Sequence, residues 1–249
     1  MRRLLLPILS VLACACSTPP LELQEVRRFH PGSEQLATVY SRWVQPDGTF
    51  VKDGDARAWY EDGSPRMEST YDMDQPVGAW MEWYDNGLLM RRGNYVRGQK
   101  QGEWCEFAED GVLLERSNWK NGRLDGSYER FDDAGQLAMS GSWVRGKREG
   151  EWTCFYPNGE LRLKGLYDGD EPKGRWTAWF SNGELLGEGR YRDGLRDGLW
   201  VRFDEHGEVI ARTSFTKDMA VGPATATSAN SAPDPFDFAG FVDKLLAKE

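Results

Sequence analysis

Two histidines, His30 and His206, and four cysteines, Cys14, Cys16, Cys105 and Cys154, are the side chains of this 249-residue chain best suited to nucleophilic, proton-transfer or metal chemistry. A structural or catalytic metal takes three or four such ligands at one point, and a triad needs a nucleophile beside an oriented base. Six residues so scattered make either improbable. The run Asp168-Gly169-Asp170-Glu171 alternates oxygen ligands as a calcium loop does, but it lacks the further ligand and the length of an EF-hand, so a solvated turn is expected. No catalytic residue, metal or cofactor is expected, and the chain is not expected to be an enzyme.

Cys14 and Cys16 suggest a different chemistry. Residues 1–16 carry Arg2 and Arg3, then the apolar run LLLPILSVLA, then Cys-Ala-Cys. A charged start and an apolar stretch too short to cross a bilayer describe an export signal. Val11-Leu12-Ala13-Cys14 resembles the bacterial lipobox, whose cysteine is acylated and becomes the mature N-terminus. Cys14 is the expected lipidation site, with Cys16 as the alternative, and localisation is expected in the cell envelope through a lipid anchor. Residues 17–28 are expected to be a tether.

Composition narrows the partner. The formal net charge is -9, with 31 Lys+Arg against 40 Asp+Glu, which argues against nucleic acid as a ligand. Only 39% of residues are apolar, whereas there are 28 glycines and 11 tryptophans, so aromatic rings must supply much of the buried surface.

The elements that carry these rings repeat. Glycines recur at Gly54, Gly78, Gly102, Gly126, Gly150, Gly174, Gly198 and Gly222 at intervals of 24 residues, defining seven units over 54–221. Counting the unit glycine as position 0, position 2 holds Trp80, Trp104, Tyr128, Trp152, Trp176 and Trp200, with Ala56 first. Position 5 is aromatic throughout, including Trp83 and Trp179, and position 9 is always glycine. Position 17 runs Tyr71, Tyr95, Trp119, Trp143, Tyr167, Tyr191, Phe215. Aromatic and aliphatic residues flank an Asn-Gly or Asp-Gly in many units, which predicts one β-hairpin per unit. With Asn86-Gly87 as a two-residue loop, Trp80 stands opposite Gly93, and a ring over a strand glycine is expected at this and the equivalent sites. Strand alternation then places Trp80, Tyr84, Leu89 and Tyr95 on one face and Trp83 on the wetter other face. A degenerate half-unit is expected over 29–53.

The pattern G-x-W-x-x-W-Y-x-N-G-x-L-x-x-x-G-x-Y-x-x-G resembles the bacterial variant of the MORN repeat, and the YwqK-type antitoxin family built from it. The resemblance covers 54–221 and implies an all-β, elongated, open antiparallel meander of 24-residue hairpins that acts by contact with proteins or lipids. It supplies no catalytic motif. The expected function is a non-enzymatic, membrane-anchored scaffold that binds a protein or glycan in the cell envelope. An immunity or antitoxin protein is the alternative, and a lipid-binding MORN protein a more distant one; a net -9 chain suits the latter poorly.

The candidate binding surface comprises Trp80, Trp104, Trp152, Trp176, Trp200, Trp83 and Trp179 together with a basic edge formed by Lys120, Arg123, Arg145 and Lys147. The opposite edge is an acidic ridge carrying Glu61, Asp62, Asp85, Glu109, Asp110, Asp133 and Glu205. Cys105 and Cys154 fall two hairpins apart on opposite faces, about 19 Å by strand spacing, and are expected to stay unpaired. Residues 222–235 are expected to be a flexible linker and 236–249 an amphipathic helix, capped by Asp234 or Asp237, that either covers the last strand or docks a partner.

Overall fold

The computed structural model of the protein describes residues 22–226 and 237–246. Cys14, Cys16, the signal segment and most of the expected linker lie outside the described residues. The first strands are β1 (Glu22–Phe29), β2 (Leu36–Val44), β3 (Phe50–Trp59), β4 (Pro65–Asp72), β5 (Gln75–Trp83) and β6 (Leu89–Val96). The middle of the sheet holds β7 (Gln99–Phe107), β8 (Leu113–Lys120), β9 (Arg123–Phe131), β10 (Leu137–Val144), β11 (Lys147–Phe155) and β12 (Leu161–Asp168). After these come β13 (Glu171–Trp179), β14 (Leu185–Arg192), β15 (Leu195–Arg196), β16 (Gly198–Phe203), β17 (Val209–Thr216), β18 (Met219–Ala226) and one helix, α1 (Phe238–Leu246).

All 18 strands belong to one sheet. Each pairs antiparallel with its neighbours in sequence, as β5 does with β4 and β6, so the sheet is an open meander. Strands β15 and β16 are one strand interrupted at Asp197, whose N–H donates to the Arg190 carbonyl at 2.9 Å. Two boundaries differ from expectation. Residues 22–29 form β1 against β2 instead of a tether, and 222–226 complete β18 instead of opening the linker. Alternation in ELQEVRRF is masked by charge, which suits an exposed edge strand.

The hairpin loops have three residues, not two. The Gly87 N–H donates to the Tyr84 carbonyl at 3.0 Å, and the Tyr84 N–H to the Leu88 carbonyl at 2.8 Å. Gly87 alone of the loop has positive φ, 82°. This is a type I turn closed by a left-handed glycine, the commonest three-residue solution. The extra residue is compensated by a slip between Glu82 and Trp83 that leaves Met90 bulged, so Trp80 still pairs with Gly93 as expected.

A second slip sets the core. Between β6 and β7 the three residues Gly102, Glu103 and Trp104 oppose Gly93 alone. Gly102, at φ 74°, makes the bend and turns Trp104 over Gly93. The same relation joins Gly141 to Trp152, Gly165 to Trp176 and Gly189 to Trp200. The ring that covers each strand glycine therefore comes from the following hairpin, and not from the residue paired with that glycine inside its own hairpin.

The rings stack edge to face along the sheet. Trp152, Tyr167, Trp176, Tyr191, Trp200 and Phe215 follow one another at centroid separations of 6.1, 5.1, 5.6, 5.0 and 6.3 Å. Each such contact contributes on the order of 1 kcal/mol beyond area burial. Helix α1 closes this core: Phe238 and Val242 are buried, and Phe238 packs on Trp200 at 5.5 Å. Asp237 caps the helix by accepting from the Gly240 N–H at 3.0 Å. The helix does not cover the edge strand β18. It lies on the face of β12–β14, because its apolar stripe finds there a hollow between ring columns.

Candidate partner-binding surface

The position-2 tryptophans do not form one accessible column. Trp104, Trp152, Trp176 and Trp200 are at most 2% exposed, so these four are core and are withdrawn from the binding surface. Burial follows from the second slip, which presses each ring onto a glycine and between two position-17 rings, except that at Trp104 the Lys100 ammonium stands between it and the second ring, Trp119. Trp80, Trp83 and Trp179 are half-buried and line hollows on the sheet face.

Trp83 is on the same side as Trp80, contrary to the alternation argument. The slip between Glu82 and Trp83 breaks the two-residue period, so both rings reach one hollow of about 230 Å³ with Tyr60, Arg66, Met67, Glu82 and Met90. A second hollow of about 290 Å³ is lined by Tyr156, Arg162, Leu163, Ala178, Trp179 and Leu186 on the sheet and by Phe238 and Phe241 of α1. In both hollows the bulged residues of the first slip, Arg66 and Met90 or Arg162 and Leu186, form the rim.

A further column went unnoticed in the sequence. Two residues before alternate unit glycines stand Lys52, Lys100, Arg148 and Arg196, a 48-residue period. Each folds over the position-17 ring of its own hairpin: Lys52 over Tyr71 at 5.0 Å, Lys100 over Trp119 at 4.5 Å, Arg148 over Tyr167 at 4.1 Å and Arg196 over Phe215 at 4.2 Å. Lys100 also lies 4.3 Å from the Trp104 ring, and burial there holds its ammonium below the usual lysine range. Arg148 donates to Asp170 at 3.0 Å and to the Tyr167 hydroxyl at 2.9 Å, and it pairs with Asp243 of α1. Alternation between Lys or Arg and Pro, Leu or Ala at this position was the available signal.

The two edges differ in how their charges are used. Lys120, Arg123, Arg145 and Lys147 are exposed and enter no ion pair among the described residues. Lys100 and Arg148, near them in sequence, fold inward onto rings instead. On the hairpin-loop edge the acids Glu61, Asp62, Asp85, Glu109, Asp110, Asp133 and Glu205 are all exposed. Asp62 and Asp110 also accept from the backbone two residues on, at 2.8 and 3.0 Å, so part of this charge is turn chemistry. The Ser64 hydrogen bonds hold the Asp62 carboxyl below its ordinary range. Neighbouring loops are stitched by Tyr60, Tyr84 and Tyr156, whose hydroxyls donate to Trp83, Phe107 and Trp179 carbonyls at 2.7, 2.8 and 2.9 Å.

The remaining chemical candidates are absorbed by packing. Cys105 and Cys154 are free thiols, both buried, and burial pushes the Cys154 thiol up to about 12. Asp168 pairs with Lys173 at 2.6 Å and Asp170 with Arg148, which makes the acidic turn an ion-pair site. His30 contacts the Trp59 carbonyl at 3.2 Å, and His206 sits exposed in a hairpin loop. Among the described residues no His, Cys, Asp and Glu cluster could hold a metal ion.

Residues 52–73, 100–121 and 148–168 match the family described as MORN repeat variant. These segments begin at Lys52, Lys100 and Arg148, the hairpins whose cation lies on the position-17 ring. No curated protein matches the chain. Among solved structures it is similar to one described as "Crystal Structure of TcdB2-TccC3 without hypervariable C-terminal region", at 15% identity and a TM-score of 0.20. That match covers 81% of this chain and 11% of the other, so the chain spans about a tenth of that structure's length. Three segments of the chain thus match MORN repeat variants, and all three lie within one continuous antiparallel array of hairpins.

Proposed function

We propose that the protein is a non-enzymatic scaffold, anchored to a bacterial envelope membrane by acylation at Cys14, or alternatively Cys16, which holds a protein partner against its sheet. The observation that carries the binding reading is the asymmetry of the aromatic face. Units at the C-terminal end are closed by α1, whereas Trp80 and Trp83 line an equivalent hollow with no segment of the described chain over it. Large rings lining an open hollow that also carries charged groups are characteristic of protein-binding surfaces. The unpaired Lys120, Arg123, Arg145 and Lys147 support a second contact with an acidic region of the same partner.

The anchor is tested by metabolic labelling with a clickable fatty acid in the native bacterium. Label is expected on the wild type, unchanged in Cys16→Ser and lost in Cys14→Ser. An unlabelled protein recovered from the cytoplasm would overturn the anchor. The scaffold is tested by crosslinking the lipidated protein in its native membrane, with Trp83→Ala as the control. A partner retained equally by both proteins would overturn the assignment of the face.

A further inference from the structure

The hollow beneath α1 and the uncovered hollow are the same site, four units apart. Adding 96 to Tyr60, Arg66, Met67, Trp83 and Met90 gives Tyr156, Arg162, Leu163, Trp179 and Leu186, residue for residue the sheet lining under the helix. The side chains that anchor the helix correspond as well. Arg162 stacks on Phe241 of α1 at 4.2 Å, and its counterpart is Arg66. Arg148, which pairs with Asp243, has Lys52 as counterpart, and each stands over the equivalent tyrosine, Tyr167 or Tyr71. Each also donates its backbone N–H to the equivalent aspartate, Asp170 at 2.9 Å or Asp74 at 2.7 Å.

One feature of the helix site is replaced. Phe238 rests on Gly187, with 3.5 Å between its ring and the position a Cβ would take there. The counterpart of Gly187 is Arg91, and that of Ala178 is Glu82. These two form an ion pair in the space that corresponds to Phe238. A phenyl ring placed there would desolvate the pair without returning a hydrogen bond.

We infer that the hollow bounded by Tyr60, Arg66, Met67, Trp80, Trp83 and Met90 is a docking groove for an amphipathic helix of a protein partner. That helix carries an aromatic residue to stack on Arg66 and, two residues later, an acid to pair with Lys52. Three residues before the aromatic it carries a polar side chain that bonds to Glu82 and Arg91. This rests on the scaffold reading above and specifies its partner. The chain's own helix does not serve in cis. The groove centres on β5, twelve strand spacings or roughly 58 Å from β18, whereas the eleven residues from Ala226 to Asp237 reach about 40 Å fully extended. The helix of a second copy brings Phe238 onto the ion pair, which disfavours it.

The test uses the full chain, with its own helix in place, and fluorescein-labelled peptides of residues 236–249, one native and one carrying Phe238→Gln. Binding is read by anisotropy. The Phe238→Gln peptide is expected to bind at least tenfold tighter than the native one. Its affinity is expected to fall at least tenfold in Lys52→Glu and Arg66→Glu variants and to be unaffected by Arg162→Glu. A peptide that adds Asp243→Lys is expected to recover binding to Lys52→Glu, which separates lost contact from lost fold. Absence of saturable binding by either peptide up to about 1 mM would overturn the inference. So would loss of binding in Arg162→Glu alone, which would place the peptide in the helix's own site. Tighter binding of the native peptide with concentration-dependent self-association would give the groove to a second copy and equally overturn it. Because these assays need neither lipid nor membrane, their failure leaves the anchor untouched, and failure of the anchor leaves the groove untouched.

Discussion

Gly165→Ala isolates the contact on which the sheet's core depends. A Cβ on Gly165 would find its three nearest neighbours, all indole carbons of Trp176, within 2.5 Å. Trp176 is fully buried and held edge-on between Tyr167 at 5.1 Å and Tyr191 at 5.6 Å, so the ring has no direction in which to retreat. Gly165 does not have positive φ, which makes the cost one of overpacking rather than backbone strain, about 2–3 kcal/mol. That corresponds to amide exchange in β12 and β13 roughly 30- to 150-fold faster than in the wild type. Exchange resolved by hairpin is the right assay, since repeat arrays open locally. Trp176→Ala should abolish the penalty in the double variant, whereas Trp152→Ala, which removes the ring paired with Gly165 in its own hairpin, should leave it intact. An equal penalty in the Trp176→Ala background, or relief by Trp152→Ala, would refute the assignment of rings to glycines.

Arg148→Ala removes the ion pair to Asp243 and the stack on Tyr167; as Asp243 is largely exposed, about 1 kcal/mol is expected, seen as a few-fold faster exchange of the amides of α1 with β5–β7 unaffected. Cys154, whose thiol burial raises from 9.0 to about 12, should resist alkylation at pH 8 in the folded protein. Its raised value stabilises the fold fully below pH 9 and progressively less from pH 9 to 12, as the unfolded thiol ionises first; Cys154→Ala should remove that part of the alkaline loss in denaturant titrations. Reversing Lys120, Arg123, Arg145 and Lys147 together to glutamate should leave the melting profile unchanged, because these side chains are exposed and unpaired, while weakening an acidic partner at low salt. Partner affinity and salt dependence both unaltered would remove the basic edge from the binding surface.

The hairpin array was legible because its cause is local. Seven copies of one 24-residue pattern fix the period, the loop glycines and the order of strands without any knowledge of distant contacts. The pairing of Trp80 with Gly93 was legible too, although by two cancelling errors: a loop one residue longer than assumed and a bulge at Met90 that restores the register. That bulge is why alternation failed for Trp83. A bulge leaves no periodic mark in a single unit, and it shows only when Arg66, Met90, Arg162 and Leu186 are seen to be the unpaired residues of their hairpins.

The 24-residue period alone requires rings and glycines to form the core of an open meander. Which ring covers which glycine was decided by the second slip between hairpins, and that offset is a property of how units stack, not of any unit alone. The tertiary structure also decided which rings are accessible. Trp80 and Trp176 occupy identical positions in nearly identical units, yet Trp176 is sealed within the C-terminal core and Trp80 is not. The difference lies in what each ring meets across the second slip: Trp176 rests on Gly165 between Tyr167 and Tyr191, whereas the residue facing Trp80 there is Ser69. A single unit cannot encode that distinction, because the glycine or serine that meets each ring belongs to the preceding unit.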